Sequence, residues 1–90
     1  MERIHFIVGG NVQGVGLRWS AREIAQDIGL SGWIRNREDG MVEGEAQGSE
    51  AQVKEFMKKL EAGLGRSRIT TLVQEARPVQ ESESEFDIRR

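Results

Sequence analysis

Apolar and polar positions alternate at the start of the chain. In ERIHFIVGG (residues 2–10), Ile4, Phe6 and Val8 fall on one face, and His5 and Ile7 on the other. A period of two with apolar residues on both faces predicts an interior strand. The period changes at Leu17. Leu17, Ala21, Ile24, Ala25 and Ile28 share one helical stripe, while Arg22, Glu23, Gln26 and Asp27 face water. That spacing predicts an amphipathic helix. Gly29 is its expected stop, because glycine takes the left-handed conformation in which helices end.

The next stretch reads as a hairpin. SGWIRN is a short strand, REDG a turn and MVEGEAQG a second strand, and Asp39-Gly40 between two such runs is a strong hairpin signal. Val42, Gly44 and Ala46 are expected inward. Glu43, Glu45 and Gln47 alternate with them, and the two glutamates are expected on a wet face. Trp33 is expected to pack the sheet against a helix, and Arg35 and Arg37 to point away from the face that carries Asn36. Ser49 with Gln52 forms a capping box. Val53, Phe56, Met57 and Leu60 make the buried stripe of a second helix, with Gly63 as its expected close. RITTLVQEA is a β-branched strand, Pro78 and QESESE a solvated loop, and FDIR a closing strand. The order is β-α-β-β-α-β, with room for one extra short strand. It predicts an α+β, ferredoxin-like sandwich with two helices on one face of a mainly antiparallel sheet.

Composition narrows the class without naming a function. Ninety residues predict a single domain over 1–90 with one small core. The chain is 37% apolar and 31% charged, which fits a globular protein, and its formal charge is −2. That balance argues against nucleic acid as a partner, since non-specific affinity for it needs a basic surface. A local positive cradle for a small anion remains compatible with it. There is no cysteine, hence no disulfide framework and no thiol chemistry. Neither a signal peptide nor a membrane span is visible, so a cytoplasmic protein without a membrane partner is expected. His5 is the sole histidine. One histidine makes no metal site, and no metal or cofactor is expected. The expected state is a monomer with a small-molecule partner.

The chemistry concentrates in GGNVQGVGLR, residues 9–18. This loop leads from the first strand into the first helix. A helix start carries unpaired N–H groups and a partial positive charge, which favour an anion. Gly10, Gly14 and Gly16 would let neighbouring amides turn inward as a nest. Arg18 would add a planar fork for two oxygens. A cation at this end of a helix opposes its dipole by about 0.3–1 kcal/mol, which an intervening anion would relieve. On the glycines alone, the simpler reading is a tight turn with a solvated arginine. The Walker pattern is ruled out, because Val15-Gly16 follows Gly14, and the dinucleotide fingerprint lacks its third glycine at Trp19.

GNVQGVGLR, followed by GLSGWIRNREDGMVEGEAQG, resembles the acylphosphatase family, and the resemblance continues to FDIR. The family's marks are a G-x-V-Q-G-V-x-F-R loop and a G-W-V-x-N strand leading to a D-G turn. The resemblance implies a hydrolase that splits the carboxyl-phosphate anhydride of an acyl phosphate. It implies Arg18 and Asn36 as catalytic residues. The loop amides of Gln13, Gly14, Val15, Gly16 and Leu17 would bind the phosphoryl oxygens. Asn36, neutral and so a poor base, would hold the attacking water, whose proton could pass to a substrate oxygen. Leu17 stands where the family has phenylalanine, and Asn11 where a basic residue is common. The alternative is a non-catalytic or carbamoyl-phosphate-handling module. An RNA-binding ferredoxin-like domain is disfavoured by the acidity and by the lack of stacking aromatics.

Overall fold

Three phenylalanines from distant parts of the chain meet in the core. Phe6, Phe56 and Phe86 are all essentially inaccessible to solvent. Phe6 and Phe56 meet edge-on with ring centroids 5.7 Å apart, and Phe56 and Phe86 lie 5.6 Å apart. Such pairs contribute about 0.5–1.5 kcal/mol each beyond the area they bury. A computed structural model describes residues 1–14, 16–64 and 69–90. Its elements run β1 Glu2–Gly10, α1 Leu17–Ile28, β2 Ser31–Asn36, β3 Val42–Gly48, α2 Glu50–Leu64, β4 Ile69–Arg77 and β5 Phe86–Ile88.

The sheet order is β4-β1-β3-β2-β5. Every pairing is antiparallel except that of β5, which lies parallel to β2. The closing strand of the sequence is therefore the extra edge strand, and β4 is the fourth strand of the βαββαβ unit. Register follows the period of two. Ile4 opposes Ala46, Phe6 opposes Gly44 and Val8 opposes Val42, so their side chains share one face. On β2, Gly32, Ile34 and Asn36 oppose Ala46, Gly44 and Val42 and belong to that face too. Gly44 makes room for Phe6. A Cβ there would lie 2.6 Å from Phe6 Cζ and 2.3 Å from the Trp33 carbonyl oxygen.

Both helices cover this face. Leu17, Ala21 and Ala25 of α1 and Val53, Phe56, Met57 and Leu60 of α2 are buried, as their stripes predict. The Ser49–Gln52 capping box is reciprocal. Gln52 N donates to Ser49 Oγ at 3.1 Å, and Ser49 N donates to Gln52 Oε1 at 2.9 Å. Gln52 Nε2 also donates to the Ile28 carbonyl at 3.0 Å, which ties the start of α2 to the end of α1. Gly63 does not close α2, because the helix runs through it to Leu64. No helix among the described residues is long and apolar enough to cross a membrane.

The opposite face departs from a simple wet surface. Glu43 is buried, and its carboxylate accepts from Arg35 Nε at 2.7 Å and pairs with His5 Nε2 at 3.1 Å. Arg3 is buried between Glu45, at 2.5 Å, and Glu83, at 2.6 Å. Glu83 thus ties the acidic loop to the sheet. Trp33 also lies on this side, not against a helix. Its ring sits 5.1 Å from the Arg89 guanidinium, 5.8 Å from that of Arg35 and 6.3 Å from His5. Alternation decides the matter: Ile34 takes the helix-facing position, so Trp33 must face away.

Candidate active site

In the loop after β1, Val12 is buried as part of the core. Gly14 and Gly16 have φ of 78° and 75°, in the left-handed region open to glycine. Gly16 is the residue before α1, with no side-chain cap, and the first turn of α1 holds no acid. The first intrahelical bond runs from Ser20 N to the Gly16 carbonyl at 3.0 Å. The amides of Leu17, Arg18 and Trp19 precede it and have no helical partner. Together with the dipole, they form an uncapped positive end that suits an oxyanion.

Two local rules bring Asn36 to that end. Alternation on β2 places it on the helix-facing side, two residues beyond buried Ile34. The chain connecting β1 to β2 makes α1 pack over β2, so the helix start lies near the strand's last residue. A cavity of about 220 Å³ results, lined by Val12, Gly14, Gly16, Leu17, Arg18, Trp19 and Asn36. Arg18 and Asn36 are both half-buried. The positions expected from sequence therefore converge, with three qualifications. Gly10 has φ of 122° but does not line the cavity. Val15 lies outside the described residues. Gln13 does not line the cavity either. Its side chain donates from Nε2 to the carbonyls of Arg37, at 2.9 Å, and Met41, at 3.0 Å.

A larger cavity of about 620 Å³ adjoins it through Asn36, among Arg35, Arg37, Glu38, Asp39, Glu43 and Arg90. Its charges are partly matched already. Arg35 pairs with Glu43 at 2.5 Å and Arg37 with Asp39 at 2.8 Å. Asp39 Oδ1 also accepts from Met41 N at 3.0 Å, which shapes the turn. With no helix start and no amide nest, this space is the weaker place for an anion, and we put the site in the smaller cavity. Within the larger one, burial works to raise the Glu43 pKa, but the hydrogen bonds from Arg35 and His5 outweigh it and hold the carboxyl below its ordinary range.

Sequence reasoning missed two contributors. The Gln13 tether needs a hairpin that no local pattern places beside the loop. Nothing in the residue pattern marked Trp19 as a wall of the cavity.

Two helices on one face of a sheet ordered β4-β1-β3-β2-β5 define a ferredoxin-like α+β protein with an uncapped helix start at one end of the sheet. The family model for acylphosphatase matches residues 4–88. The acylphosphatase of Pseudomonas paraeruginosa is 49% identical over 77 residues, covering 86% of this chain and 85% of its own. That of Geobacillus thermodenitrificans is 42% identical over 88 residues, covering 98% and 94%. The crystal structure of acylphosphatase from Bacillus subtilis superposes with a TM-score of 0.91 at 33% identity over 100% of both chains. The chain belongs to the acylphosphatase family and, like those relatives, is an enzyme of the hydrolase class.

Proposed function

We propose that the chain, acting as one domain, hydrolyses acyl phosphates to a carboxylate and inorganic phosphate at the cavity between Arg18 and Asn36. The observation that carries this reading is that cavity: a guanidinium and an uncapped helix start from α1 and a carboxamide from β2 line one small space. The family membership supports the reaction type.

The chemistry suits these groups. The phosphoryl oxygens lie against the loop amides and the fork of Arg18, which offset charge as it develops on them. The carboxamide of Asn36 holds a water in line with phosphorus. The water oxygen forms a bond to phosphorus. The bond between phosphorus and the acyl oxygen breaks, and the carboxylate leaves with the electron pair. A proton of the water passes to a phosphoryl oxygen and the other stays on the new P–OH, so the products are a carboxylate and dihydrogen phosphate. A carboxylate is a good leaving group, which makes a strong general acid unnecessary.

The test is phosphate release from acetyl phosphate, with inhibition by inorganic phosphate as a second readout. Asn36→Ala is expected to lose about 100–1,000-fold in turnover and to keep phosphate inhibition. Arg18→Ala is expected to lose both. Wild-type release no faster than buffer, with phosphate still bound, would favour the non-catalytic reading.

A further inference from the structure

We propose that Trp19 is the platform for the acyl group of the substrate and that it favours flat, apolar acyl groups over acetyl. The inference rests on the acyl phosphate reading of the cavity. Trp19 is 61% exposed, in the first turn of α1. Among the described residues it is the one aromatic side chain left largely in water. It also lines the same cavity as Arg18 and Asn36. The Arg22 guanidinium lies 4.3 Å from the ring centroid, a stack that holds the indole from one side and leaves much of its surface open.

The remaining walls explain why the indole matters. Gly14, Gly16, Arg18 and Asn36 offer amides and polar groups suited to the phosphoryl end. Val12 and Leu17 are apolar but 1% and 5% exposed, so they present little area to a ligand. A phosphoryl group that turns its oxygens to the helix start projects its acyl substituent away from the amides. Trp19 is the large apolar surface available to it there. An aromatic acyl group can stack on an indole, whereas a methyl group covers only a fraction of it. A stack that is equally strong in the bound substrate and in the transition state acts on KM and leaves kcat unchanged.

The experiment compares benzoyl phosphate and acetyl phosphate as substrates of the wild type, Trp19→Ala and Trp19→Phe. Trp19→Ala is expected to lower kcat/KM for benzoyl phosphate about 2–10-fold, through KM, and to leave acetyl phosphate nearly unchanged. Trp19→Phe should restore most of the difference, and inhibition by inorganic phosphate should be the same in all three. Equal losses on both substrates, or none on either, overturn the proposal. Calorimetric titration with the non-hydrolysable benzoylphosphonate and acetylphosphonate separates this from the parent reading. The wild type should bind the benzoyl compound more tightly, and Trp19→Ala should bind the two alike, even where no turnover is seen. Binding that ignores the substitution defeats the platform, whereas absent hydrolysis with intact binding defeats only the reaction.

Discussion

Gln13 and Arg37 join the two halves of the candidate site: the amide of one donates to the main-chain carbonyl of the other at 2.9 Å. Arg37 directly follows Asn36, and Gln13 sits at the start of the nest. A single side chain therefore fixes the distance between the helix start and the strand end that bears the carboxamide. Its second bond, to the Met41 carbonyl, closes the grip on both sides of the hairpin turn.

Gln13→Met keeps the length of the side chain and removes both donors. The freed carbonyls lie near solvent, so stability should fall by only about 1 kcal/mol. Catalysis depends on sub-ångström placement, and kcat/KM for acetyl phosphate should fall by about tenfold or more. Thermal melts and steady-state kinetics on the same preparation read the two effects. A melt that collapses in step with activity would make Gln13 a plain stabilising residue.

Gly16→Ala addresses the nest itself. An added Cβ meets nothing within 4 Å, so the cost is conformational alone, about 1–2 kcal/mol for a left-handed residue with a side chain. Gly29→Ala supplies the control, since its φ is 94° and its nearest neighbour, Gln52 Nε2, is 3.7 Å away. Both variants should lose similar stability in urea. Only Gly16→Ala should weaken inhibition by inorganic phosphate, because only that glycine lines the cavity.

Gly44→Ala fails for a different reason. Its Cβ would lie 2.3 Å from a backbone carbonyl oxygen that the sheet holds in place, and 2.6 Å from a core phenylalanine. Overpacking of this kind costs about 1–3 kcal/mol. The backbone clash puts Gly44→Ala at or above the top of that range, a large part of the stability of a small domain. The urea midpoint is the measurement, and Phe6→Leu in the same chain should recover part of the loss by relieving the contact at Cζ.

Much of this fold was legible in the residues, because its signals are local. The alternation of Ile4, Phe6 and Val8, the stripe from Leu17 to Ile28 and the Ser49–Gln52 box each lie within one element. So does the spacing that put Arg18 at a helix start and Asn36 on the face opposite Arg35. The misread positions depend on pairing between elements. Glu43 reads as a wet-face glutamate until β1 and β2 bring His5 and Arg35 beside it. Trp33 reads as core until Ile34 is seen to hold that place. Glu83 belongs to a polar run, yet it answers a buried Arg3 from the far end of the chain. Gly63 looks like a stop, but α2 continues one residue past it.

The Glu43 cluster leaves a trace in the pH dependence of stability. Its hydrogen bonds from Arg35 and His5 lower the pKa of the folded carboxyl against the upward push of burial. A folded value below the unfolded one means that the ionised form is favoured by folding. The contribution is complete above the unfolded pKa, near 4.5, where both states are charged. As the pH falls below that point, the unfolded chain takes up its proton first and stability declines. The decline ends once the pH has passed through the folded value. Urea unfolding of the wild type should show this acid limb. Glu43→Gln should be less stable at neutral pH and should flatten the limb, so that the two curves draw together as the pH falls. Curves that stay parallel down to the acid end would mean that the carboxylate contributes nothing through its charge.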